Sequence, residues 1–222
     1  MDDNHNRYKV LEQKNWSRKE HFDFYQKFEQ PYFNICCDLN AKSLFAYCKQ
    51  NEISFFNAYV YLLMKAINKL EVFRYRIVDN QIRIYDEVSV GSIQMADDQT
   101  IRFSDLPYTN NFEMFQASSI QVREDVINSN FMSELANKNQ GIINTVYLTV
   151  IPWISFTGFK HASHSKDERG IPRFVFGKMR ESDFSLPFSV EVHHALVDGL
   201  HIGQLVQAIQ NYFDEPESFL SA

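Results

Sequence analysis

No run in this 222-residue sequence approaches the roughly 18 consecutive apolar residues of a membrane span. Its first ten residues, Met1 to Val10, are polar where a secretory signal would be apolar. A soluble, cytoplasmic protein is expected. Basic residues are not in excess: 22 Lys and Arg stand against 28 Asp and Glu, for a net charge of -6. A nucleic-acid binder would carry a basic excess or stripe, and neither is present. The cysteines are three, Cys36, Cys37 and Cys48, an odd number with two adjacent. That pattern fits neither a disulfide framework nor zinc-ligand spacing, and no metal is expected. Walker-type and GxGxxG loops are missing, which counts against nucleotide-phosphate and Rossmann chemistry. A G-x-S-x-G elbow is missing too, which weakens a Ser-His-Asp hydrolase. Without an internal repeat, a low-complexity tract or a shift in composition, residues 1–222 are expected to form one domain.

Aromatic residues are plentiful: 20 Phe and 11 Tyr raise the aromatic fraction to 15% of a chain that is 45% hydrophobic. This density points to a large core, an apolar pocket, or both. A short strand is expected at Tyr8 to Leu11. A capping box (Ser17 as N-cap, Glu20 at N3) should open a helix through about Phe28. Arg18 then falls in the first turn, where a cation opposes the helix dipole, so a specific carboxylate partner is suggested. Tyr32 to Cys37 reads as a strand. Asn40 and Ser54 should cap helices through Gln50 and Leu70, the second apolar all round and therefore buried. Strands follow in FRYRIV, in IRIY after the turn Asp79-Asn80, and in VSVGSI; Asn110 should cap another helix. After Asn139-Gln140-Gly141 strands return in INTVYLTVIPW, ISFTGF, RFVFGKM and LPFSVEVHH, with Pro152 breaking its strand.

The most informative stretch is Val190 to Phe213. Alternation places Phe188, Val190, Val192 and His194 on one face, and Ser189, Glu191 and His193 on the other. The strand ends at the histidine pair, a turn carries Asp198-Gly199, and an amphipathic helix follows with Leu200, Leu205, Val206, Ile209 and Phe213. A histidine held at a strand end beside a cavity suits general base chemistry, and its parity makes His194 the better candidate. A hydrogen-bonded core histidine is the structural alternative. His161 and His164 have metal-ligand spacing, but they sit in a polar loop without partner cysteines or carboxylates, so a solvated loop is expected there.

NWSRKEHF (Asn15 to Phe22), TIRFSDL around Phe103, IPWISFTGF from Ile151, FGK (Phe176 to Lys178) and HHALVDGLHIG together resemble the trimeric, HHxxxDG-type chloramphenicol acetyltransferases over nearly the whole chain. HHxxxDG alone is less specific, because dihydrolipoamide acyltransferase domains resemble it, though that activity is not expected here. The resemblance implies an α/β fold (an α+β two-layer sandwich), a mixed sheet flanked by helices and extended across the subunits of a homotrimer. It implies an enzyme that uses acetyl-CoA as co-substrate and acetylates a chloramphenicol hydroxyl directly, without an acyl-enzyme. His194 would be the base, facing the acceptor pocket of a neighbouring subunit. Asp198 paired with Arg18 would order the turn beneath it. Thr149 stands where the family has an oxyanion-binding serine, Phe24, Tyr25, Phe103 and Phe159 where it has the acceptor pocket, and Lys178 where it has a lysine near the CoA phosphate. Three departures, Thr149 for the serine, His161 for an apolar residue and Val175 for a threonine, leave open an acyltransferase for another hydroxylated small molecule; a trimeric binding protein without turnover is a third reading, which retention of His194, Asp198 and Arg18 argues against.

Overall fold

The computed structural model describes residues 7–131, 142–162 and 169–221. Its elements are β1 (Tyr8–Val10), α1 (Lys19–Tyr25), β2 (Tyr32–Asn40), α2 (Lys42–Gln50), α3 (Phe55–Lys69), β3 (Tyr75–Val78) and β4 (Gln81–Tyr85). Then come β5 (Ser89–Met95), β6 (Ile101–Leu106), α4 (Phe112–Ile127), β7 (Thr145–Val150), β8 (Arg173–Phe176), β9 (Ser185–His193), α5 (Gly199–Asp214) and a short α6 (Glu217–Leu220). A six-stranded mixed sheet runs in the order β2-β9-β8-β7-β5-β6, and a small sheet runs β1-β4-β3. In the large sheet β7 is parallel to both β5 and β8, and the other pairs are antiparallel. The expected mixed sheet with helices is therefore the observed architecture.

The period-two pattern decides what each sheet face meets. Leu148, Phe174 and Val190 align across β7, β8 and β9, and they are buried in one apolar cluster with α3 and α5. α3 is enclosed on all sides, as its sequence demands, with Ala58, Tyr59, Val60, Leu62 and Leu63 all buried. Its one buried amide, Asn57, accepts a hydrogen bond from the Ser119 hydroxyl of α4 at 2.9 Å, which satisfies both groups where the two helices meet. The opposite sheet face is different in kind. There the aligned rows are Thr149, Val175, Ser189 and Cys36, and Tyr147, Arg173, Glu191 and Asn34. The first face is a core; the second carries polar groups and part of the candidate chemistry.

Local signals held where turn and cap chemistry are specific. Asp79 and Asn80, both at positive φ (49° and 62°), make the two-residue hairpin turn between β3 and β4. Ser54 caps α3 through the Asn57 N–H, and β7 stops at Val150, short of Pro152. Several expectations need correction. The N-cap of α2 is Ala41, although Asn40 Oδ1 accepts the Lys42 N–H at 3.0 Å. FRYRIV is strand only from Tyr75, because Phe73 and Arg74 belong to a 3-10 turn. Leu200 is exposed, off the buried face of α5, and His161 is largely buried beside Glu191 rather than solvated. The Ser17–Glu20 box does not form: the N-cap of α1 is Arg18, whose side chain turns to Asp198 instead, and the helix ends at Tyr25. The cap of α4 is Asn111, which accepts from the Met114 N–H at 2.8 Å; the Asn110 carbonyl is taken by the Tyr61 hydroxyl. Ile154 to Phe159 is not a strand: it crosses beside the end of β8, where the Lys178 N–H donates to the Ile154 carbonyl. Gly177 permits that approach, because a Cβ there would lie 2.9 Å from the Phe156 ring. The turn at 139–141 and His164 lie outside the described residues.

Candidate active site

Backbone pairing holds His194 one step beyond β9, where its N–H donates to the Pro31 carbonyl at 2.8 Å. The imidazole stacks on Tyr25 with ring centres 3.9 Å apart and planes 4° from parallel, and it leans on Phe33 at 4.4 Å. Phe33 pairs in register with Val192, so His194 continues the apolar face as its parity requires. Nδ1 is enclosed without a hydrogen-bond partner, whereas Nε2 is not enclosed. The ring is thus fixed by aromatic walls and open at one nitrogen. His193 goes the other way: it is 1% exposed, its Nδ1 accepts from the Ala195 N–H at 3.2 Å, and its ring meets Tyr32 edge-on. It fits the role of a satisfied core histidine.

The turn after His194 is tied from three directions. The Leu196 and Val197 N–H groups both donate to the His193 carbonyl at 3.0 Å. Asp198 caps α5, accepting the Leu200 N–H at 3.1 Å, and its other oxygen binds the Arg18 guanidinium. Burial works to raise the Asp198 pKa, but the Arg18 bond and charge outweigh it and hold the carboxyl below its ordinary range. Arg18 therefore has the carboxylate partner that its position suggested. Asp198 is committed to Arg18 and to the cap, an arrangement that supports the turn rather than relaying a proton. Arg18 at the start of α1 and Tyr25 at its end dock the same short helix onto the turn and onto the base.

Phe24 is 58% exposed and contacts Tyr25 and Phe28 edge-on, so an uncovered aromatic group flanks His194. The remaining site residues lie elsewhere. Thr149 is half-buried on the polar sheet face, beside Val175. Phe103 belongs to β6, is 43% exposed and contacts Phe131, while Phe159 packs on Phe156 and His161. From Thr149 to Ser189 is two strand steps, and from Ser189 to His194 five residues along β9. At about 3.3 Å per residue and 4.8 Å per strand, the Cα atoms of Thr149 and His194 are about 19 Å apart. Their faces are also opposite. Within this chain the strand register keeps this hydroxyl away from this imidazole.

Lys178 is exposed on the rim of a cavity of about 640 Å3, lined by Phe45, Phe55, Tyr59, Val150, Phe184 and Leu186 among others. Glu181 also lines this cavity and partly offsets the lysine's charge. On the polar face, Glu191 is buried and accepts from Arg173 at 2.6 Å, with His161 Nδ1 at 3.8 Å. Burial pushes the Glu191 carboxyl up, but His161 and Arg173 outweigh it and hold it below its usual value. Both ring nitrogens of His161 are enclosed without a hydrogen bond. Burial pushes the Cys37 and Cys48 thiols up to about 11, which disfavours them as nucleophiles near neutral pH. Among the described residues, no group of three or more His, Cys, Asp or Glu is placed to hold a metal ion.

Phe28 and Phe33 were missed by sequence reasoning, because Phe33 reaches His194 through the β2–β9 register, which neither strand shows alone. His201 was missed as well, and its signal was legible as a capping-box spacing from Asp198. Arg173 and Glu191 gave none, since a buried ion pair on the second face depends on register.

Solved structures share this fold. A chloramphenicol acetyltransferase aligns with a TM-score of 0.84 at 23% identity, covering 93% of this chain and all of that one. The dihydrolipoamide acetyltransferase of Azotobacter vinelandii aligns at 0.62 and 14% identity, covering 86% of this chain and 84% of its own. In sequence, a chloramphenicol acetyltransferase of Proteus mirabilis is 31% identical over 211 residues, 93% of this chain and 94% of the relative. The Chloramphenicol acetyltransferase family profile matches residues 6–210. This chain belongs to that family.

Proposed function

We propose that the protein acetylates a hydroxyl of chloramphenicol from acetyl-CoA and so confers resistance, with residues 1–222 acting as one catalytic domain in the cytoplasm. The observation that carries the reading is the division of the site: a rigidly held histidine with one open nitrogen, and about 19 Å away in the same chain the hydroxyl it would work with. A site of this kind is completed by a second chain. In a cyclic trimer, head-to-tail contact between the His194 side of one subunit and the Thr149 side of the next gives three equal sites, with the sheet continued across the contact.

In that arrangement the acceptor hydroxyl gives its proton to Nε2 of His194, which acts as the general base. The oxygen forms a bond to the thioester carbonyl carbon. The carbonyl oxygen becomes an oxyanion, steadied by the Thr149 hydroxyl of the adjoining chain, at a site where one such donor contributes about 2.7–4 kcal/mol. Collapse breaks the carbon–sulfur bond, and the proton on His194 leaves with the thiol of CoA. Asp198 and Arg18 keep the turn, and hence the base, in place. Phe24, Tyr25, Phe103 and Phe159 offer an apolar wall for an aromatic acceptor. The cavity beside Lys178 suits the apolar and anionic parts of CoA.

A second reading is favoured by one observation. The enclosed, unpartnered nitrogens of His161 beside Phe159 place a polar spot in an apolar wall, which suits another hydroxylated acceptor. Release of CoA thiol from acetyl-CoA, with and without chloramphenicol, decides between the two. Chloramphenicol-dependent release is expected; release only with other hydroxyl compounds transfers the case to the second reading.

A further inference from the structure

The cap of α5 is unusual in the residue that closes it. In a capping box the N3 side chain, ordinarily Glu or Gln, accepts a hydrogen bond from the N-cap backbone N–H. Here N3 is His201, and its Nδ1 takes the Asp198 N–H at 3.1 Å. An imidazole nitrogen accepts only when it is unprotonated, so the closed cap requires the neutral ring with its proton on Nε2. The same Nδ1 lies 3.0 Å from the Asp198 carboxylate. A protonated Nδ1 would donate to that oxygen and leave the Asp198 N–H without its acceptor. The two protonation states therefore select two different hydrogen-bond patterns at one turn.

That turn begins at the base. The Asp198 backbone is four residues from His194, and Ala195, Leu196 and Val197 between them are buried, so movement at the cap is passed along a packed segment rather than absorbed by solvent. We propose that His201 is a positioning residue for His194: its neutral Nδ1 closes the turn that carries the base, and its protonation opens that closure. The proposal rests on the reading of His194 as the base. Charged groups acting on the His201 ring are Asp198 of its own cap, which favours the proton, and Arg18 from the segment before α1, which opposes it. Burial is the largest influence, and the net direction is below the ordinary histidine value, so the neutral ring is favoured; that Nδ1 is its unprotonated nitrogen rests on the contact with the Asp198 N–H.

The test compares His201→Gln with His201→Leu in the intact enzyme, using acetyl-CoA and chloramphenicol. Glutamine offers an acceptor oxygen at every pH. It is expected to keep kcat within about twofold at neutral pH and to hold activity further into the acid than the wild type. Leucine offers none and is expected to lower kcat about tenfold with both KM values within about twofold, the signature of a misplaced base rather than lost binding. Nitrogen NMR of the wild-type ring is expected to show an unprotonated Nδ1 and a protonated Nε2 at neutral pH. Superimposable acid limbs for wild type and His201→Gln, wild-type kcat in a folded His201→Leu, or a protonated Nδ1 would each overturn the proposal. Failure of the underlying reading is separately visible: His194→Ala would retain turnover, while the tautomer measurement does not depend on turnover at all.

Discussion

The two halves of the candidate site are built to different degrees of completion. Around His194, within one chain, every support is present: the Pro31 carbonyl on its N–H, Tyr25 and Phe33 on its ring, and the Arg18–Asp198 pair under its turn. Around Thr149 the strand is in place, but the aromatics of that half, Phe103 and Phe159, lie in separate contacts, and Trp153 and Ile154 nearby in sequence are largely exposed. A base must be aimed to fractions of an ångström, so its supports are local and redundant. An acceptor pocket lying between chains need not be finished until they meet. In the proposed trimer the uncovered apolar residues would form the surface that meets a copy of the same chain.

Loss of the base should have the largest effect. His194→Ala is expected to lower kcat by about 10²–10⁴-fold, or more where no water replaces the imidazole, with subunit association unchanged by sedimentation. Thr149→Val should come next. It keeps the shape and removes the hydroxyl, for an expected loss of about 10²–10³ in kcat with KM for acetyl-CoA little altered. A wild-type rate in this variant would remove Thr149 from the chemistry and leave the second half of the site without a donor.

Asp198→Asn tests the supports of the first half. The pair is partly screened, with side-chain exposures of 15% and 30%, so about 1–2 kcal/mol is expected, a fall in Tm of about 2–8 °C. Because the folded Asp198 pKa is depressed, its contribution is present above the ordinary aspartate pKa of about 3.9 and is lost as pH falls through the folded value. The wild-type advantage in Tm should therefore shrink in acid. An unchanged Tm at neutral pH would contradict the support assigned to this pair. Lys178→Ala is the smallest change. It is expected to raise KM for acetyl-CoA about two- to fivefold without altering kcat, as befits an exposed charge; an unchanged KM would take Lys178 out of the cofactor site.

Sequence made the first half legible and the second only in outline. Alternation from Phe188 to His194 fixes which histidine joins the apolar face, because strand geometry leaves no choice once the pattern is set. The cation at Arg18 implied a carboxylate, and the carboxylate is there. The reading failed where a distant partner outcompeted a local one. Ser17 and Glu20 have capping-box spacing, yet the guanidinium bond to Asp198 determines how α1 begins. ISFTGF has strand composition, yet Pro152 and the close approach at Gly177 turn it into a crossing segment. Register hid the rest: which side chains share the face of Thr149 follows from pairing among β7, β8 and β9, not from any one strand.

The shared site is the central claim, and mixing two inactive variants tests it most directly. His194→Ala and Thr149→Val chains are unfolded together in equal amounts and refolded. If each site takes its histidine from one chain and its threonine from the next, random assembly restores both to about a quarter of the sites, and about a quarter of wild-type activity returns. A mixture no more active than the average of its parents would mean that both groups serve within one chain, or that they do not serve together.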